Sequence, residues 1–284
     1  MCVQAAAVLT RTDVHWCETD SHTNEIMRLG LRDDGVHSPD FVRVEINPPK
    51  QDFRRPLSEW RFHTDQDIVP DWYEPKSAEA AVRDALPAWV AEHVILPGQY
   101  RDVITSGLVV AIYGSVDWIG GSTRVNGIGG SARVDRIGDS ARVDWIDGSA
   151  RAARIDGSAR VNRIGYSARV DRIDGSARVD WIGDSANVDR IGDSARVDWI
   201  GDSANVACIS DSARVDRIGG SARVDWIGGS ARVDWISDSA RVDVITGAAC
   251  THAYSDAACS AKLEERGHII DMRGDIPRII VAAT

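Results

Sequence analysis

Apolar and polar positions recur every nine residues along the middle of the chain. From Ser122 the motif Ser-Ala-Arg-Val-Asp-(Trp/Arg)-Ile-(Gly/Asp)-(Asp/Gly) repeats in register through the unit that begins at Ser239. Its Ala-Arg-Val-Asp segment alternates small apolar, polar, apolar and polar residues, which predicts a short strand with Ala and Val facing inward. Strict alternation would bury the next slot, so a corner or bulge after Asp must turn the Trp or Arg outward and the Ile inward.

A single nonapeptide cannot bury its apolar face, so the units must stack and share one core, as in solenoid proteins. The β-branched residues and the Gly, Ser and Asp punctuation disfavour a helical repeat. Fourteen clear units, a weaker one at 113–121 and a decaying one at 248–256 together make about sixteen. We therefore predict a mainly β fold built on a parallel β-solenoid, with Gly and Asp forming the turns.

The slot between Asp and Ile indicates how large one coil is. Four of its Trp residues fall in one set of alternate units, and four of its Arg residues fall in the other. The members of these two sets are Trp145, Trp181, Trp199 and Trp235, and Arg136, Arg154, Arg172 and Arg190. This alternation favours an 18-residue coil with two unlike faces, and a triangular 27-residue coil is the alternative.

The flanks of the repeat have a different composition and predict two caps. Residues 1–105 form an α+β N-terminal head, 106–256 the solenoid, and 257–284 a C-terminal β-hairpin. Both flanks are expected to cover the open sheet ends of the solenoid.

Within the head we expect two helices and two strands. Asp20 or Ser21 caps a helix that reaches Leu29, and a second helix runs from Ser77 to about Val94 with a kink or break at Pro87. The strands are 41–46 and 60–64. In the C-terminal hairpin, strands 268–272 and 276–282 flank Arg273-Gly274-Asp275.

Composition excludes several classes of protein. The chain has 284 residues and a net charge of -10, which argues against broad binding to phosphate backbones and makes nucleic acid an unlikely partner. No apolar run approaches the roughly 20 residues of a membrane helix. The first twelve residues lack the basic start of a secretory signal, so we expect a cytoplasmic or virion-associated protein.

Metal and thiol chemistry are weakly indicated. The five cysteines are scattered and form no Cys-x-x-Cys pair, which predicts free thiols. His15, Cys17 and His22 lie close in sequence but lack a fourth ligand at a known spacing. The repeat also departs from the calcium-binding nonapeptide, because Ala replaces a required Gly and Asp falls one place late. The sequence thus predicts no cofactor and no resident metal.

The outward positions of the repeat carry the candidate function. Stacked units place Arg, Asp and Trp in ladders, so the eight Trp and Arg residues of the variable slot are the candidate interaction surface, for a protein or a polysaccharide. Exposed Trp could stack on sugars, or could lie flat over neighbouring side chains. Acidic residues recur in every coil, whereas a catalytic pair would be singular.

The head carries the patterns Phe41-Val-Arg-Val-Glu-Ile, Trp60-Arg-Phe and Pro70-Asp-Trp-Tyr, followed by Ser-Ala-(Arg/Thr)-Val nonapeptides. This combination resembles uncharacterised nonapeptide-repeat proteins of bacteriophages and bacteria, over most of the chain. The resemblance implies a phage or prophage origin and brings no catalytic residues.

We therefore expect a non-enzymatic structural or interaction repeat protein. The alternatives are a carbohydrate-binding or carbohydrate-modifying β-helix of the phage-spike type, and a filament-forming bacterial solenoid.

Overall fold

The structure, a computed structural model, describes residues 5–18, 21–33, 40–253, 262–263, 268–272 and 278–281. The chain divides into two compact units, Met1–Leu96 with Gly107–Ala111 and Pro97–Ser106 with Ile112–Thr284. None of the helices in the described ranges has the length and apolar character that crossing a membrane requires.

The first unit is a small α+β domain. Its elements are β1 (Ala5–Leu9), β2 (Val14–Trp16), α1 (His22–Arg28), β3 (Val42–Asn47), two 3-10 turns (Pro49–Gln51 and Leu57–Glu59), β4 (Arg61–Thr64), α2 (Pro75–His93) and β5 (Val94–Ile95). The first four strands pair antiparallel in the order β2-β1-β3-β4. Ile26 of α1 and Phe41 pack with Val8 of β1 in a buried cluster.

Both predicted helices are present, with two differences. The Ser21 side chain makes no capping hydrogen bond, and α2 continues through Pro87 instead of breaking there. Leu86 and Trp89 are buried on either side of this proline, so packing of the apolar helix face outweighs the hydrogen bond that proline removes. The N-cap of α2 is Glu74, whose carboxylate accepts the Ser77 N–H at 2.8 Å. Sequence analysis missed this cap because Glu is not among the favoured N-cap residues.

Short strands of near-constant length build the repeat. After β6 (Tyr100–Ile104) and β7 (Leu108–Ile112), they are β8 (Ser115–Ile119), β9 (Arg124–Ile128), β10 (Arg133–Ile137), β11 (Arg142–Ile146), β12 (Arg151–Ile155), β13 (Arg160–Ile164), β14 (Arg169–Ile173), β15 (Arg178–Ile182), β16 (Asn187–Ile191), β17 (Arg196–Ile200), β18 (Asn205–Ile209), β19 (Arg214–Ile218), β20 (Arg223–Ile227), β21 (Arg232–Ile236) and β22 (Arg241–Ile245). They are followed by β23 (Cys250–Ala253), β24 (Lys262–Leu263), β25 (His268–Asp271) and β26 (Arg278–Val281).

Alternate strands pair in parallel and form two sheets. We call the sheet that contains β6, β8 and so on to β24 the even-strand sheet, and the sheet that contains β9, β11 and so on to β25 the odd-strand sheet. Each strand pairs with the strand 18 residues away, as in Val143↔Val161 and Ile146↔Ile164. The parallel β-solenoid with an 18-residue coil is confirmed, at about nine turns, and the triangular 27-residue coil is wrong.

The core consists of stacked columns of Ala, Val and Ile. In the unit that begins at Ser194, for example, Ala195, Val197 and Ile200 are each fully buried. Asp198 and Trp199 between them are both exposed, so two consecutive residues point outward and the strand bends there. The predicted corner after Asp is confirmed. Two outward residues before the inward Ile let each strand curve around the core while the nonapeptide unit still buries three apolar side chains.

Each nonapeptide unit ends in a turn with one residue in the left-handed conformation. This residue is Gly, Asp or, once, Tyr. The turn closes by a hydrogen bond such as Ala195 N–H to Gly192 O at 3.1 Å, with positive φ at Asp193 between them. Asp tolerates this conformation better than most residues. The carboxylate of such an Asp also accepts the backbone N–H of the turn residue one coil earlier, as Asp193 does from Gly175 at 3.0 Å.

The turn position Gly157 gives a first prediction. Its φ is +62°, and a Cβ there would lie 2.7 Å from the Asp139 nitrogen. We expect Gly157→Val to reduce the free energy of unfolding by about 2–3 kcal/mol, because a β-branched residue is strained at positive φ. Gly157→Asp is the matched control and should cost less than about 1 kcal/mol, because its carboxylate can accept the Asp139 N–H as other turn aspartates do. Urea unfolding of both variants measures this, and equal losses would contradict it.

The C-terminal strands continue the odd-strand sheet. β25 pairs with β23 in parallel, and β26 pairs antiparallel with β25, so the two predicted hairpin strands are confirmed. The expected turn at Arg273-Gly274-Asp275 lies outside the described residues. That the hairpin and the head act as caps stays a prediction.

Candidate functional site

The outer surface of the odd-strand sheet presents three parallel rows, which together we call the tryptophan face. The first row is Arg124, Arg142, Arg160, Arg178, Arg196, Arg214 and Arg232. The second is Asn126, Asp144, Asn162, Asp180, Asp198, Asp216 and Asp234. The third is Trp145, Arg163, Trp181, Trp199, Arg217 and Trp235. Parallel pairing spaces the members of each row by about 4.8 Å.

The third row interleaves indoles and guanidinium groups. The guanidinium carbon of Arg163 lies 4.0 Å from the ring centre of Trp181. Arg217 lies between two tryptophans, 5.5 Å from the ring of Trp199 and 5.5 Å from that of Trp235. These distances are within the range of cation–π attraction, which favours the observed contacts between the indoles and the guanidinium groups.

The tryptophans of this row differ in how much of the ring they expose. Trp181 and Trp199 both lie over the turn that follows them, because a Cβ would be 2.1 Å from the Trp181 indole on Gly183 and 2.5 Å from the Trp199 indole on Gly201, but Trp181 is half-buried. Trp199 and Trp235 are 42% and 37% exposed. Trp181 therefore fills the corner as the flat-lying interpretation expects, while Trp199 and Trp235 offer apolar surface to a ligand.

Two grooves run along the tryptophan face. One, of about 450 Å³, lies between the second and third rows and is lined from Asp180 and Trp181 to Asp234 and Trp235. The other, of about 430 Å³, lies between the first and second rows from Arg160 to Asp234. An extended ligand along the first groove would contact indoles on one side and carboxylates on the other.

The second row stacks like charges. Burial raises the pKa of Asp216, and the carboxylates of Asp198 and Asp234 on the neighbouring strands raise it further. Asn162 interrupts the row and donates a hydrogen bond from Nδ2 to Asp144 Oδ1 at 2.9 Å. This row therefore favours ligands that donate hydrogen bonds and disfavours anions such as phosphates.

The four arginines of the candidate surface lie on the even-strand sheet, opposite the tryptophan face. They are Arg136, Arg154, Arg172 and Arg190. The buried Asp156 accepts from Arg136 Nε at 3.0 Å and pairs with Arg154 Nε at 2.9 Å. A hydrogen bond from Arg190 lowers the pKa of Asp211. The Trp set and the Arg set therefore do not form one surface, and several of these arginines pair with aspartates of the turns.

Sequence analysis did not assign Arg163 and Arg217 to the Trp row. The 18-residue spacing contains the necessary signal, because 163 and 217 each differ by 18 from the positions of Trp181 and Trp235. What the spacing does not specify is the exposure of each indole, since Trp181 and Trp199 are both followed by Ile-Gly and yet one is half-buried and the other exposed.

The His15, Cys17 and His22 group does not come together in the described part of the chain. Cys17 lies in the apolar cluster of the head, where burial, with a contribution from the charge of Glu25, raises its thiol pKa to about 12. His22 instead lies beside Glu45 and Asp65. The three cysteines within the described residues, Cys17, Cys208 and Cys250, are free thiols as predicted.

Comparisons of this chain with protein-family models, with curated proteins and with solved structures find no match. The geometry of the solenoid and of the head is therefore what indicates a function.

Proposed function

We propose that this protein is a non-enzymatic interaction protein whose solenoid binds an extended partner along the tryptophan face. The observation that carries the proposal is the exposure of Trp199 and Trp235 beside the groove that the Asp row lines. Against a catalytic function, the acids of this groove recur in every coil from Asp180 to Asp234, so that no single pair is distinguished from its neighbours.

The chemistry of the groove favours a linear polysaccharide without negative charge. The apolar faces of sugar rings can stack on indoles, and sugar hydroxyls can donate to the aspartates along the opposite wall. The aspartates of the groove repel phosphates, whereas the arginines of the first and third rows and aromatic stacking would suit a single-stranded nucleic acid, which is the second class of partner to test. A ladder with a spacing of about 4.8 Å suits a partner that is itself periodic. Phage or prophage origin and the filament-forming alternative stay predictions.

Affinity electrophoresis of the full chain through gels that contain soluble linear polysaccharides tests the proposal. The panel is a neutral β-glucan, a neutral cellulose derivative and the acidic alginate. We expect retardation by a neutral polymer, and a loss of affinity of about tenfold in Trp199→Ala and in Trp235→Ala, since aromatic stacking of a nucleobase contributes about 1–3 kcal/mol and a sugar should fall near the lower end.

Trp226→Ala is the matched control. Trp226 occupies the same slot of the repeat, on the even-strand sheet, and its replacement should leave the retardation unchanged. Absence of retardation by every polysaccharide would overturn the proposal, and so would equal effects of the three substitutions. Retardation by single-stranded DNA or by a cationic peptide, with no effect of the neutral polymers, would assign the face to another class of partner.

A further inference from the structure

Three side chains in the head converge from separate elements. His22 is the first residue of α1, Glu45 lies in the middle of β3, and Asp65 directly follows β4. One nitrogen or oxygen atom from each lies within 4.8 Å of the others. They are far apart in the sequence, so only the pairing of β3 with β4 and the packing of α1 against the sheet place them together.

The orientation of His22 is determined by the backbone. Its Nε2 lies 3.1 Å from the carbonyl oxygen of Val44, and because a carbonyl only accepts, Nε2 carries the hydrogen. The other ring nitrogen, Nδ1, lies 3.4 Å from Asp65 Oδ2. A cation must lie between a bare Nδ1 and this carboxylate oxygen, and it is either a metal ion or a proton on the ring. Metal-binding histidines commonly show this arrangement, in which the second ring nitrogen donates to a carbonyl.

The position of Asp65 is also fixed through its backbone. Its N–H donates to the carbonyl oxygen of Arg43 at 2.8 Å. Arg43 lies in β3, the strand that also carries Glu45. The His22 to Asp65 separation of 3.4 Å matches the edge of a tetrahedron around an ion with ligand distances of about 2.0–2.1 Å. A carboxylate oxygen of Glu45 lies within 4.8 Å of both of the other ligand atoms and is the third candidate ligand.

Burial differs across the cluster in a way that suits a bound ion. His22 is 8% exposed, whereas the side chain of Asp65 is 49% exposed. The imidazole is therefore preorganised, and the solvent side leaves room for water as a further ligand. Three protein ligands with one open position are typical of zinc sites that bind water or an exogenous ligand.

We propose that His22 Nδ1, Glu45 and Asp65 bind one divalent transition-metal ion of the zinc class. One imidazole and two carboxylates suit Zn²⁺ and Co²⁺ better than Ca²⁺, which prefers six to eight oxygen ligands. This site is independent of the tryptophan face, which lies in the solenoid.

Titration of the full chain with Co²⁺, followed by its visible absorption, tests the site. We expect one ion per chain, with d–d bands and without the charge-transfer absorption of a cobalt thiolate, because no cysteine belongs to the cluster. Zn²⁺ should displace the Co²⁺. Asp65→Asn and Glu45→Gln should each weaken binding at least tenfold, since the loss of even an outer-shell partner costs about 10- to 100-fold.

Asp71→Asn is the matched control, because it removes the same charge from an exposed position of the head outside the cluster. These variants avoid replacing the buried His22, whose loss could prevent folding. In the metal-free protein, ¹⁵N NMR of the histidine rings should show His22 Nδ1 shifting on Zn²⁺ addition while Nε2 keeps its hydrogen. Binding that persists in Asp65→Asn and Glu45→Gln, thiolate absorption, or no saturable binding would each overturn the proposal. The cation in the cluster would then be a proton on the ring.

Discussion

Replacing one core isoleucine with aspartate should unfold much of the solenoid. Ile191 is fully buried and stacks between Ile173 and Ile209 of the adjacent coils. A carboxylate there has no partner and no water, so we expect Ile191→Asp to lower the free energy of unfolding by more than about 4 kcal/mol. Guanidinium unfolding followed by far-UV circular dichroism measures this loss.

Two further variants test whether Ile191→Asp loses stability because it buries a charge. Ile191→Val keeps the column apolar and should cost about 0.5–1.5 kcal/mol. Asp189→Asn changes an exposed residue two positions earlier in the same strand and should stay within about 0.5 kcal/mol of the parent. If Ile191→Asp unfolded like Ile191→Val, the inward orientation of the isoleucine column would be wrong.

Deleting one unit should abolish polymer binding, whereas deleting two should weaken it only about as much as Trp199→Ala does, because both deletions remove Trp199. Removal of residues 194–202 shifts every later strand to the opposite sheet, because consecutive units alternate between sheets. Arg217 and Trp235 then leave the row of Trp181. Removal of residues 194–211 takes out one full coil and leaves Trp181, Arg217 and Trp235 in one row on the odd-strand sheet.

Both deletions should fold, because the new neighbours still stack Val on Val and Ile on Ile. Deletion of 194–202 would place Val206 over Val179 and Ile209 over Ile182, which preserves the core. We expect the two melting temperatures to lie within a few degrees, and retardation by the polysaccharide of the parent to survive only in the longer deletion. Binding by both deletions, or by neither, would contradict the requirement for one continuous row.

The local sequence of the repeat was sufficient to predict most of the solenoid. The nine-residue period, the inward Ala, Val and Ile, and the outward turn after Asp all follow from how one unit alternates and from its need to stack. The alternation of Trp145 and Arg136 in the variable slot also indicated the 18-residue coil. A shift by one residue would expose the isoleucines, so the alternation within each unit fixes which side chains face the core.

In the head, tertiary packing decided structural features that the local sequence predicted wrongly or did not determine. Helix α2 passes through Pro87 because Leu86 and Trp89 are buried around it, which a propensity argument cannot anticipate. His22, Cys17 and His15 are close in the chain, yet the fold buries Cys17 in apolar surroundings and brings His22 to Glu45 and Asp65. His22 is more than 20 positions away from both Glu45 and Asp65, and the head has no repeat. No periodic pattern in the sequence therefore indicates these contacts.

On the tryptophan face, too, the sequence determined some features and the tertiary structure decided others. The sequence determined which positions point outward and how they are spaced, because strand alternation and an 18-residue coil follow from local pattern. Only the tertiary structure decided that Arg217 lies between Trp199 and Trp235, that Trp181 lies flat on Gly183, and that arginines of the opposite sheet pair with turn aspartates. Those outcomes depend on which side chains meet across coils, and such contacts exist only after the chain has wound.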